Sequence, residues 1–130
     1  MRILLDTQVA LWWLVASPRL SRNCRDLITT SSCVVSVASI WEVAIKHRLG
    51  KLPIPPQIFR NETRNTGAAL LRIADVHVIA TTEVPLRHKD PFDRLLLATA
   101  QSEHLVLLTG DEGLLRLARL EPTLPVKPAV

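Results

Sequence analysis

The sequence predicts an α/β layer structure with a mainly parallel sheet, and three observations predict it. Short apolar runs end abruptly at polar residues, segments with helical spacing alternate with them, and several of those segments carry clear start and stop signals. Parallel neighbours need crossover connections, which helices supply, and the helices then cover both faces of the sheet.

Arg2 to Leu5 is an apolar run ending at Asp6, and Ser32 to Val35 holds a second, Cys33-Val34-Val35, ending at Ser36; both read as buried strands. Leu105 to Leu108 is a third strand, closed by the turn signal Thr109-Gly110-Asp111. The spacing predicts a helix over Val37 to Leu49, with Lys46, His47 and Arg48 in its last turn and Gly50 as its cap. A helix over Pro91 to Gln101 has Asp90 to cap it, Pro91 at its first position and Asp93 in its first turn. Ser17 to Ile28 and Gly113 to Leu120 read as further helices, and Pro55 to Leu71 as a polar helix interrupted at Gly67. Pro53, Pro55 and Pro56 mark a loop, while Pro122, Pro125 and Pro128 break up the tail around a last short strand at Leu124 to Val126.

With 130 residues the chain has room for one domain, residues 1–130, that buries roughly 65–70% of its unfolded surface. The 48% hydrophobic and 22% charged composition, free of repeats, is that of a globular protein rather than a disordered one. The longest uninterrupted apolar stretch, Val9 to Ala16, is too short to span a bilayer or act as an export signal, so the expected location is the cytosol. Cys24 and Cys33 form no metal-ligand pattern and are expected as free, mostly buried thiols. A net charge of +4 is compatible with a nucleic-acid partner. The Trp residues lie in apolar surroundings, which argues against recognition by base stacking and for contacts to phosphate.

Function in an open parallel sheet gathers beyond the carboxyl ends of the strands, and Asp6 and Asp111 both follow strand candidates. Asp93 stands at a helix N-terminus, where the dipole favours an ionised carboxylate available to a cation. Glu42 lies inside an apolar stretch, Val37 to Ile45, where a charge is costly without a partner. Four converging carboxylates repel one another, and a hard ion such as Mg²⁺ or Mn²⁺ relieves that repulsion. Such an ion can activate water against a phosphodiester, which is nuclease chemistry.

Each acid also has a purely structural explanation. Asp93 can complement its helix dipole, Glu42 can close a capping box with Ser39, Asp6 can begin a turn with Thr7, and Asp111 can cap the last helix. Asp90 is better explained as an N-cap than as a ligand. Lys46, Arg48, His88 and Lys89 are candidate RNA contacts, and His47 and Lys51 extend the basic patch. The competing explanations are a basic last helical turn and a solvated loop. Trp12 and Trp13 offer either a partner surface or core packing with one ring partly exposed.

Four segments in order resemble the PIN-domain ribonuclease toxins of the VapC type: Leu4-Leu5-Asp6-Thr7, Ser39 to Lys46, Asp90-Pro91-Phe92-Asp93-Arg94-Leu95-Leu96 ahead of Ala98, and Leu108-Thr109-Gly110-Asp111. The resemblance implies a three-layer α/β/α fold, Mg²⁺- or Mn²⁺-dependent endoribonuclease activity, and an acidic site at Asp6, Glu42, Asp93 and Asp111 that binds the metal and carries the catalysis. It also implies a homodimer and a cognate antitoxin that wraps the protein with a flexible segment and blocks the acidic groove. Many relatives place His after the Asp-Thr pair; Gln8 stands there in this chain and cannot serve as an imidazole acid or base.

Two alternatives come from other classes. A catalytically silent PIN-like module would bind RNA or protein without cutting, but the acids are intact. A phospho-receiver domain would need paired acids after the first strand and a Lys after a later one. Asp6 stands alone, and no Lys follows Leu108 directly.

Overall fold

The computed structural model describes residues 1–85 and 88–130. Its strands are β1 (Arg2–Leu5), β2 (Ser32–Ser36), β3 (Ala69–Leu71), β4 (Val106–Thr109) and β5 (Val126–Pro128), all in one sheet of order β3-β2-β1-β4-β5. Every neighbouring pair is parallel. The helices among the described residues are α1 (Thr7–Leu14), α2 (Arg22–Thr30), α3 (Val37–Arg48), α4 (Pro56–Asn65), α5 (Asp75–Ala80), α6 (Pro91–Glu103) and α7 (Glu112–Leu120), with a 3-10 turn at Thr81–Glu83.

Successive strand residues point to opposite faces, and here both faces are buried. Ile3, Leu5, Val35 and Leu108 pack with Val9, Cys24, Val43 and Phe59 from the first four helices. Leu4, Val34 and Leu107 pack on the other side with Leu96, Leu97, Leu114 and Leu117 from α6 and α7. The result is a three-layer α/β/α fold, with α5 laid against α6.

Several local expectations shift. The helix expected from Ser17 begins at Arg22, because Ser21 Oγ accepts the Cys24 N–H at 3.1 Å and caps it there. The helix expected over Pro55 to Leu71 stops at Asn65; beyond Gly67, at φ +93°, Ala69–Leu71 pairs with β2 as a strand. The last strand falls at Val126–Pro128 rather than Leu124 to Val126, and Pro128 is tolerated because β5 is an edge. The capping box of Ser39 with Glu42 does not form. Ser36 caps α3 through the Ala38 N–H, and the buried Ser39 hydroxyl accepts from Thr7 Oγ1 at 2.8 Å. Cys24 is buried and Cys33 half-buried, both free, with burial pushing both thiols up.

From β1 the chain builds outward through β2 to β3, then returns to place β4 on the other side of β1. The topological switch point therefore lies between β1 and β4, where the crossovers diverge and leave a crevice at the carboxyl edge. Asp6 directly follows β1, and Asp111 stands two residues past β4.

Candidate active site: an acidic groove at the switch point

Asp6, Glu42, Asp93 and Asp111 all line one open groove of about 570 Å³ at this edge, together with Gln8, Trp12, Arg19, Lys46, Asp90 and Glu112. Asp6 reaches it because its N–H continues the ladder to Leu108 O at 3.0 Å. Glu42 projects from α3, which starts where β2 ends. Asp93 comes from the first turn of α6, where Asp90 Oδ1 accepts from the N–H groups of Phe92 and Asp93 as the expected cap. Asp111 also fulfils its structural role, accepting the Leu114 N–H through Oδ2 at 2.9 Å. A cap uses one carboxylate oxygen and leaves the other free, so capping and ligation are compatible.

The four acids are held differently. Asp6 is 6% exposed and receives the Thr109 hydroxyl on Oδ2 at 2.6 Å. The same Thr109 oxygen accepts the Asp111 N–H at 3.0 Å, so one hydroxyl joins the ends of β1 and β4. Glu42 accepts Lys46 Nζ at 2.8 Å, a hydrogen bond that pushes the ammonium pKa up. Asp93 Oδ2 meets His88 Nε2 at 2.8 Å, with both side chains 13% exposed. Among the described residues, His88, Asp93 and Asp111 form a group of three whose candidate ligand atoms all lie within 4.8 Å of one another.

Burial pushes Asp6 up to about 6; the Thr109 hydrogen bond opposes this, while repulsion from Glu42 and Asp111 reinforces it. Burial also raises Asp93 against the His88 hydrogen bond, with Asp6, Asp90 and Asp111 adding repulsion. The helix dipole was expected to keep Asp93 readily ionised; desolvation and neighbouring acids outweigh it here. The groove thus gathers more carboxylate than its Lys46 and Arg19 cations balance, a donor set of hard oxygens that fits a divalent ion.

The basic candidates divide. Lys46 lines the groove, whereas Arg48 and Lys89 are exposed and do not line it. His88, a candidate RNA contact with a solvated loop as the competing explanation, is instead turned into the acids. Arg94 holds that segment in place by donating to the carbonyls of Thr81, Val84, Pro85 and His88 at 2.7–2.9 Å. Trp12 and Trp13 are both half-buried. Trp12 forms a wall of the groove against Gly110, where an added Cβ would meet the ring at 2.7 Å, while Trp13 packs on the core. Thr109 and Arg94 stand within the motif segments but without a role assigned from sequence, and nothing in the sequence singles out Arg19, since a Thr or Arg carries no local signal of its partners.

A sequence profile of the PIN domain matches residues 3–120. The chain belongs to the PIN-domain family. The PIN domain also resembles solved structures over its full length. These include DNA-bound VapBC from Salmonella typhimurium, at 16% identity and TM-score 0.69, covering 100% of this chain and 99% of that one. VapBC-1 from nontypeable Haemophilus influenzae has 16% identity, 98% coverage of both chains and a TM-score of 0.66. VapBC2 from Rickettsia felis, bound to a DNA fragment from its promoter, has 14% identity, 98% coverage of both and a TM-score of 0.65. At such identities the likeness is one of fold. No curated protein matches the sequence significantly. No helix among the described residues is long and apolar enough to cross a membrane.

Proposed function

We propose that this PIN domain is a Mg²⁺- or Mn²⁺-dependent endoribonuclease acting in the cytoplasm as the toxin of a toxin–antitoxin pair. The observation that carries the reading is the convergence of Asp6, Glu42, Asp93 and Asp111 on one groove at the switch point. Asp6, Glu42, Asp93 and Asp111 would hold the ion. When bound, it supplies Lewis acidity toward the phosphate and a more acidic water.

The protein's own groups position the substrate around that centre. Thr109 fixes the Asp6 carboxylate so that an oxygen faces the groove without a search through rotamers. Lys46 and Arg19 are the cations lining the groove and can each take a phosphate oxygen. Gln8 stands exposed on the same lining, where its amide can hold a water or phosphate but cannot shuttle a proton. Such backbone contacts position RNA without reading its bases.

The VapBC likeness of fold supports a protein antitoxin as a partner. A homodimer requires a self-complementary surface. The apolar groove formed by Trp41, Ile45, Ile73, Val78, Phe92 and Leu95, beside exposed Val76 and Ile79, supports one.

The test is cleavage of total cellular RNA by the purified protein with Mg²⁺ or Mn²⁺, against EDTA and Asp93→Asn, with the new ends sequenced. Discrete, metal-dependent cuts absent in Asp93→Asn are expected. Metal-independent cutting, or none with either ion, would overturn the reading.

A further inference from the structure

We infer that His88 is a ligand of the metal site, so that the centre has a mixed nitrogen and oxygen shell and prefers Mn²⁺ over Mg²⁺. The inference rests on the metal-dependent reading above and adds a residue to it. Four observations carry it. Nε2 of His88 lies 2.8 Å from Asp93 Oδ2, and His88, Asp93 and Asp111 offer atoms within 4.8 Å of one another. Neighbouring ligands of an octahedral ion with bonds near 2.1 Å stand about 3 Å apart, and opposite ones about 4 Å. The imidazole is 13% exposed rather than solvated.

The ring also has a cradle. A Cβ on Gly113 would lie 2.9 Å from His88 Cε1 and 3.2 Å from Nδ1, so only the bare glycine lets the imidazole settle beside Asp111 at the start of α7. Finally, Arg94 grips the His88 carbonyl at 2.8 Å, so the residue is placed by α6, the helix that carries Asp93. An imidazole suits transition-metal ions, whereas Mg²⁺ favours carboxylate, carbonyl and water; a nitrogen ligand therefore moves preference toward Mn²⁺.

Pulsed electron paramagnetic resonance of the Mn²⁺-loaded protein reads the ligand directly, since a bound imidazole gives ¹⁴N modulation that changes on labelling histidine with ¹⁵N. Calorimetric titration with Mn²⁺ and with Mg²⁺ measures the preference in wild type, His88→Gln and Gly113→Ala. Wild type is expected to show the ¹⁴N coupling and both variants to lose it. In His88→Gln, Mn²⁺ affinity should fall about tenfold or more while Mg²⁺ affinity changes less than about threefold. If Mn²⁺ binds wild type without ¹⁴N coupling, or if His88→Gln weakens both ions equally, His88 is no ligand and only orients Asp93; the metal-dependent reading then stands. If wild type binds neither ion, that reading falls, and this inference with it.

Discussion

Thr109 shows how one hydroxyl can organise an acidic site. It donates to Asp6 and accepts from the Asp111 backbone, and nothing else in the described structure bonds the Asp6 carboxylate through a side chain. Thr109→Val keeps the shape and removes both bonds. It should cost about 1–3 kcal/mol in urea denaturation and weaken Mg²⁺ binding, because a buried carboxylate loses its donor. Asp6 itself makes the metal-free protein sensitive to pH. Its folded pKa, about 6, lies above the ordinary 3.8, so the folded state holds the proton more tightly. The associated stability is full below about pH 4 and is lost as pH rises through 6, a swing on the order of 3 kcal/mol. Denaturation midpoints in EDTA should therefore fall between about pH 4 and 7, with a shallower fall in Asp6→Asn. An unchanged slope would refute the assignment. Asp93 acts in the same direction.

At the scale of elements, α6 is more than a carrier for Asp93. Asp90 caps it, Pro91 starts it, and Arg94 draws the preceding segment onto it through four carbonyls. A planar guanidinium can serve four acceptors at once; an ammonium has three donors on a flexible stem. Arg94→Lys should lower stability by about 2–3 kcal/mol and speed amide exchange in the Thr81–Glu83 turn, measured by denaturation and deuterium exchange. Protection equal to wild type would show that Arg94 does not hold the segment. How legible an element was also depended on its length and surroundings. The Asp90-Pro91 start of α6 and the Gly50 end of α3 are local chemistry, and both stand where the sequence placed them. Local signals are silent on α1, whose apolar residues and paired Trp give little polar face, and on α5, six residues long. β3 has three residues and becomes a strand only by pairing with β2, so it read as the tail of a helix.

For the whole molecule, the crowded acids predict that a divalent ion stabilises the fold. The metal-free groove holds Asp6 and Asp93 against burial and mutual repulsion, and an ion bound only by the folded state relieves both. At a hundredfold excess over its dissociation constant it adds about 2.7 kcal/mol, a rise in melting temperature on the order of 10 °C. Thermal melts with Mg²⁺, Mn²⁺ and EDTA check this. No shift with either ion would point instead to a PIN-like module that binds without cutting.

By itself the sequence determined the α/β class, the approximate places of β1, β2 and β4 and the well-capped helices, and it singled out four acids that line one groove, because each depends on neighbours in the chain: apolar runs, helical spacing, caps and short motifs. Only the tertiary structure decided the strand order, the switch point between β1 and β4, the Thr109 bridge, the grip of Arg94 and the inward turn of His88. The strand order, the switch point and the Thr109 bridge depend on partners far apart in sequence, such as Asp6 and Thr109, 103 residues away; the contacts of Arg94 and His88 span a loop and a helix start whose path no local signal fixes.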